Sequence, residues 1–140
     1  MLQKTAEYAL RAVVCLAQNP ESAQSADCMA EVTQIPRRYL HRVLQHLVRE
    51  GLVRSQPGPN GGYSLVKPAE KIRLIDVVDS FGSIERIRKC PLGLKSHKGL
   101  CALHRELDEA YAAIEAAFSR VTVAQIVNEP GRYVPLCESH

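Results

Sequence analysis

The chain has 140 residues, 46% hydrophobic and 24% charged, with a formal net charge of +3. That length holds one domain with its own core, and the balance excludes a wholly disordered chain or one that needs disulfide staples to fold. No apolar run approaches the roughly 18 residues of a membrane span, and the polar start Leu2-Gln3-Lys4-Thr5 lacks a secretion signal, so a cytoplasmic protein with no membrane partner is expected. The charge is uneven. Residues 36–67 hold six cations (Arg37, Arg38, Arg42, Arg49, Arg54, Lys67) against Glu50 alone, a local excess that suits an anionic partner, nucleic acid first.

In chain order, residues 5–18 read as a helix, with Ala6, Ala9, Leu10, Val13 and Ala17 at the 3–4 spacing of one face. Asn19-Pro20 ends it. Ser25 reads as the N-cap of a second, short helix over Ala26–Val32. A third helix starts at Pro36, where the missing N–H costs nothing. Leu40, Val43, Leu44, Leu47 and Val48 form its buried stripe. Arg37, Arg38, His41, Arg42, Gln45 and Arg49 lie off it, and Gly51 stops it. Leu52–Ser55 and Tyr63–Val66 read as two short strands around Gln56-Pro57-Gly58-Pro59-Asn60-Gly61-Gly62, where Gly and Asn supply the positive φ of a hairpin. A fourth helix is expected over 74–81. Most of 83–100 reads as loop. Residues 101–119 read as a strong helix whose Leu103, Leu107, Ala110, Ile114 and Ala117 follow an a/d-like spacing. That seam suits a second subunit or an internal core equally. Thr122 caps a last helix through Val127, and 129–140 read as a tail.

A helix, a short helix, an exposed basic helix and a two-stranded hairpin make a winged helix-turn-helix. The predicted fold class is mainly α with a small β-hairpin. The third helix can enter the major groove, where Arg and Gln read base edges. A Gly61-Gly62 tip would allow the hairpin close approach to phosphate. Arg37, Arg38, Tyr39, His41, Arg42, Gln45, Arg54, Gly61 and Gly62 are the candidate DNA contacts. An isolated basic helix is more often a solvated face; the hairpin beside it shifts the balance toward double-stranded DNA.

Five cysteines are an odd number, and a cytoplasmic chain favours metal or redox chemistry over structural disulfides. Cys90, His97, Cys101 and His104 form the second constellation. Cys101 and His104 stand at i and i+3 on one helical face. Thiolates bind iron–sulfur clusters, and histidine can replace thiolate at one iron. The same four residues could hold zinc, though their spacing is not that of a familiar zinc finger. Cys90 and Cys101 could form a reversible disulfide, or the loop could be unliganded. Cys15 and Cys28 read as buried small hydrophobes, Cys137 as a stray thiol in the tail, and His46 as a surface or packing residue. There is no phosphate loop, nucleophile elbow or HExxH, so enzyme chemistry is not expected. A Cys101–His104 thiolate–imidazole pair is its one foothold. A winged helix that binds only protein is the third reading.

Ile35-Pro36-Arg37-Arg38-Tyr39-Leu40, Leu44-Gln45-His46-Leu47, Gly51–Ser55 and Gly58-Pro59-Asn60-Gly61-Gly62-Tyr63-Ser64-Leu65 resemble the Rrf2 family of winged-helix regulators. Thr5–Ala12 is similar to the family's opening helix, and the likeness runs over about 1–127. It implies a homodimeric transcription factor, a repressor, on a partly palindromic operator, with 101–119 as the dimerisation helix. The implied division is a DNA-binding domain over 1–82, a sensor loop over 83–100, dimerisation and short C-terminal helices over 101–128, and a tail over 129–140. It also implies a sensor of three cysteines holding a cluster, 2Fe–2S here. Cys90 and Cys101 match the first and third, but Ser96 or His97 stands in the middle place. A three-cysteine site is thus out of reach, and His104, His97 or Glu7 of the opposite subunit become the further candidate ligands. In the wing, Pro57 stands where family members often carry Arg or Lys, which leaves positioning to Arg54 or the Gly61-Gly62 backbone.

Overall fold

The computed structural model describes residues 2–137. Among these the elements are α1 (Lys4–Gln18), α2 (Ala26–Thr33), α3 (Arg37–Arg49), β1 (Val53–Gln56), β2 (Gly62–Leu65), α4 (Leu74–Asp79), α5 (Ala102–Arg120) and α6 (Val123–Asn128), with a 3-10 turn at Ala69–Lys71. Residues 138–140 of the expected tail lie outside the described residues. No described helix is long and apolar enough to cross a membrane.

α1 is the axle of the fold. Its buried residues are mostly small (Ala6, Ala9, Ala12, Val13), which lets α2, α3, α4 and α6 all pack against it. α2 starts where Ser25 Oγ accepts from the Cys28 backbone N–H. It ends at Gln34, whose left-handed φ of 57° makes the turn of the helix-turn-helix. That turn drops Ile35 into the core and puts Pro36 at the N-cap of α3, so the helix starts at Arg37, one residue later than predicted. Leu40, Val43, Leu44 and Leu47 of α3 are buried as their spacing requires, while Val48 is half-buried. Each of the leucines contributes about 1.5–3 kcal/mol by leaving water.

The two strands pair antiparallel in the register Val53↔Leu65, Arg54↔Ser64, Ser55↔Tyr63 and Gln56↔Gly62. Each sits one residue from its predicted span. Gln24 joins this hairpin to the body: its N–H donates to the Tyr63 carbonyl at 2.9 Å, and the Tyr63 N–H donates back at 2.8 Å. The Gln24 side-chain amide donates to the Cys15 carbonyl at 2.9 Å and accepts from the Cys15 thiol at 3.4 Å. One buried glutamine therefore ties α1, the start of α2 and β2 together.

α4 ends at Asp79, two residues short of expectation. Ser80 Oγ donates to the Val77 carbonyl, and Phe81 leaves the helix to stack on His46 at 4.1 Å. His46 also donates to the Ser80 carbonyl, so it is a packing histidine. Thr122 caps α6 as predicted, and Gln125 reaches back to the Thr122 backbone N–H to complete a capping box. Backbone bonds from Leu74 to Val121 and from Val123 to Ile72 pin α6 to the start of α4.

α5 runs to Arg120, and Cys101 is its N-cap rather than its first residue. None of its residues is buried. Residues 129–137 contain no helix or strand, yet they are attached: Leu136 packs against the core, and the Gln18 amide donates to the Pro135 carbonyl. Cys15 is buried as expected, but Cys28 is exposed. On α2 the buried residues are Met29 and Thr33, an i, i+4 pair, and Cys28 stands 100° off that line.

Candidate nucleic-acid interface and sensor segment

α3 is buried on one side and carries its charge on the other. Arg37, Arg38, His41, Arg42, Gln45 and Arg49 are all exposed. Arg37 pairs with Asp27 of α2 at 3.1 Å, with 64% and 69% of the two side chains exposed, a contact worth ~0–1 kcal/mol. Among the described residues the other arginines of this face have no acidic partner. The Arg38 guanidinium lies 4.9 Å over the Tyr39 ring and donates to its hydroxyl at 3.2 Å. Beside α3, Gln45, Val48, Arg49, Ser55 and Tyr63 line a cleft of about 330 Å³ between helix and hairpin. Arg54 projects from β1 and donates to Ser64 Oγ at 3.4 Å.

The two wing glycines have internal reasons. A Cβ on Gly61 would meet the Gln56 carbonyl oxygen at 2.0 Å, and one on Gly62 would meet that of Gln24 at 2.2 Å. The exposed tip is Pro57–Asn60. The expectation of a Gly61-Gly62 tip open to phosphate is corrected here: both glycines are half-buried where the hairpin closes on itself and on Gln24.

The second constellation is partly gathered. Cys101 Sγ and His104 Nδ1 stand 3.3 Å apart at the head of α5. Cys90 is half-buried on the preceding loop and His97 is exposed. Glu7 is held by Arg11 at 2.9 Å, and Arg11 also donates to the Thr33 carbonyl at 3.1 Å. Among the described residues no three His, Cys, Asp or Glu side chains form a group able to hold a metal ion. The described residues thus bring together two of the four candidate donors, Cys101 and His104, and by themselves do not fit a cluster or a tetrahedral zinc.

Asp108 anchors the loop that carries Cys90. Both its oxygens accept from Arg86, at 2.7 and 2.8 Å, and Oδ1 also accepts from the Ile87 N–H at 2.8 Å. Hydrogen bonding to the Arg86 guanidinium, more than any other cause, pulls the Asp108 carboxyl down to about 2. Asp79, at the end of α4, is shifted the other way, by burial first and then by Glu115 and Asp76. The Cys15 thiol is pushed up to about 11 by burial, with smaller contributions from Cys28 and Cys137. Sequence reasoning missed Gln24, Arg11 and Asp108. Only Arg11 had a local signal, its i+4 spacing from Glu7.

The family model for Rrf2, an iron-dependent transcriptional regulator, matches residues 2–129. The chain belongs to the Rrf2 family. It is a DNA-binding transcriptional regulator and not an enzyme. A candidate HTH-type transcriptional regulator of Aquifex aeolicus is 32% identical over 130 residues, covering 89% of each chain. YffB of Lactococcus lactis, also a candidate HTH-type regulator, is 32% identical over 131 residues, covering 88% of this chain and 84% of its own. Among solved structures, CymR of B. subtilis, described as a global cysteine regulator, superposes with a TM-score of 0.80 at 20% identity, covering 94% of this chain and 98% of its own. IscR of T. potens gives 0.78 at 21% identity, covering 92% and 87%. At such identity the likeness is one of fold, and it is the winged helix-turn-helix that the hairpin and α3 build.

Proposed function

We propose that the protein is a cytoplasmic homodimeric repressor that reads a partly palindromic operator with α3 and the wing, its affinity set by the state of the Cys90/Cys101 segment. The observation that carries the DNA-reading assignment is the exposed face of α3, where Arg38, Arg42 and Arg49 stand beside the cleft to the wing without an acidic partner among the described residues. Arg42 and Gln45 point the chemistry of base reading outward. Arg54 and the wing backbone lie where phosphate contacts position such a head.

Two observations support a dimer. Leu103 and Leu107 on α5 are 63% and 38% exposed, on the a/d-like line that suits packing against another helix. Beside it, Leu2, Ala6, Phe81, Ile84, Ile114 and Phe118 line a half-open apolar groove.

Control at the sensor segment has two chemical forms, cluster occupancy and thiol redox state. A bound 2Fe–2S cluster would supply a charge and redox change at Cys90 and Cys101, with His104, His97 or the opposite subunit's first helix completing its ligands. The contact between Cys101 and His104 also favours a thiol reading, since an imidazole at 3.3 Å can accept the thiol proton. Either change would bias operator affinity by the usual coupling of about 1–3 kcal/mol.

Iron and acid-labile sulfide, measured on anaerobically purified protein and on Cys90→Ala and Cys101→Ala variants, separate the two forms. Matching iron and sulfide that both variants lose would establish the cluster. Neither element, with reversible oxidation of Cys101, would establish the thiol switch. Iron and sulfide fully retained by both variants would remove these residues from the site. The DNA assignment is tested separately: Arg37, Arg38 and Arg42 changed together to Ala should flatten the salt dependence of duplex binding.

A further inference from the structure

A ladder of cations and aromatic rings runs from the start of α1 to the start of α3. Lys4 Nζ lies 5.7 Å from the centre of the Tyr8 ring. Tyr8 meets Tyr39 at 6.4 Å between ring centres, and Tyr39 carries Arg38 over its face at 4.9 Å. On the inner side Arg11 lies 5.3 Å over Tyr8, but its charge is committed to Glu7 and the Thr33 carbonyl. Lys4 is different: it is exposed, and no described acidic side chain pairs with it. Rings at these distances hold a cation in place without neutralising it.

Placement gives the ladder its meaning. In a helix-turn-helix the first residues of the recognition helix, here α3, meet the bases, and the helix before the turn, here α2, crosses the phosphate backbone; α1 lies outside that pair and reaches α3 through the two rings. Tyr8–Tyr39 contact puts the second turn of α1 beside the first turn of α3. Lys4 and Arg38 are then two cations without a described acidic partner at the ends of one ladder, each steadied by a tyrosine ring.

We propose that Lys4, held by Tyr8, forms with Arg38 and Tyr39 a phosphate seat that extends the DNA interface onto α1. The seat recognises the phosphodiester backbone and no particular base. The proposal rests on the DNA-reading assignment of α3.

The test uses the full-length chain and a 30-base-pair duplex of arbitrary sequence, with affinity followed by fluorescence anisotropy from 50 to 200 mM salt. Loss of one phosphate contact lowers the salt slope by about 0.9 and removes roughly threefold of the affinity change across that range. Lys4→Ala should show this loss, and Tyr8→Leu should show most of it. Tyr8→Phe, which keeps the ring, should hold the wild-type slope, while the Lys4→Ala/Tyr8→Leu pair should lose no more than Lys4→Ala alone. Lys71→Ala controls for bulk charge, and circular dichroism confirms folding. A Lys4→Ala slope equal to wild type, or equal to that of Lys71→Ala, would overturn the seat while leaving α3 intact. A wild-type chain with no salt-dependent duplex binding would remove the interface itself, and the seat with it.

Discussion

Replacing Gly62 by alanine tests how the wing is fastened. Gly62 sits at φ 143°, and a Cβ there would lie 2.2 Å from the Gln24 carbonyl oxygen and 2.4 Å from its carbon. Backbone cannot yield as a flexible side chain can. The bridge between Gln24 and Tyr63 must open, and its two hydrogen bonds of 2.9 and 2.8 Å are lost. Gly58 is the natural comparison: it has φ 104°, but a Cβ there would have no neighbour within 4 Å. Both substitutions carry the backbone strain of a side chain at positive φ, of order 1–3 kcal/mol. Only Gly62→Ala adds the loss of the bridge, roughly 0.5–1.5 kcal/mol per bond, hence about 1–3 kcal/mol more. With a urea slope of about 2 kcal/mol per molar, the two variants should differ in midpoint by about 1 M. Amide exchange at Tyr63 should accelerate in Gly62→Ala alone. Equal midpoints for the two variants, with Tyr63 still protected in both, would refute the claim that the wing is anchored through Gln24.

Further outcomes follow from other parts of the molecule. Leu47→Ala, at a fully buried site on α3, should lower stability by about 2–5 kcal/mol, whereas exposed Arg42→Ala should stay within about 0.5 kcal/mol; urea midpoints read both. The Asp108 carboxyl, held down to about 2, titrates below its unfolded value. Its hold on the loop is complete above about pH 4 and is lost as pH falls through 2. The protection factor of the Ile87 amide, its rate taken relative to intrinsic exchange at each pH, should therefore fall as pH drops through that window, and Asp108→Asn should abolish that fall. Iodoacetamide at pH 8 should label exposed Cys28 well before Cys15, whose buried thiol is pushed up to about 11. Mass spectrometry after timed quenching gives the order, and equal rates would contradict the burial.

Local patterns made much of this legible. Apolar spacing placed α3 and its buried face, because that helix is amphipathic and packs on one side only. Ser25 and Thr122 announced their helices, since a cap acts within three residues. The wing was readable from Gly51 and the Pro57–Gly62 turn, although each strand shifted by a residue. What escaped were contacts between distant positions. Nothing near Gln24 marks it as the bridge to Tyr63, and nothing near Asp108 points to Arg86, 22 residues away. Cys28 was misread because a small residue between Ala26 and Met29 looks apolar, while only Met29 and Thr33 face the core. The sensor segment is the hardest case. A donor set depends on how a loop closes, and in the proposed dimer on a second chain as well; spacing along one chain fixes neither.

The Gln24 bridge has a mechanical consequence. Because its backbone holds β2 and its side chain holds α1, the hairpin cannot swing independently of the helices that carry α3. A push delivered to α1 tilts the whole head as one block. The angle between recognition helix and hairpin, and with it the string of bases one head can read, stays constant. What such a push can change is where the block sits: its lean on the duplex and its distance from a second block. Regulation through this fold would then act as calipers do, altering the span between two readings rather than the letters within either.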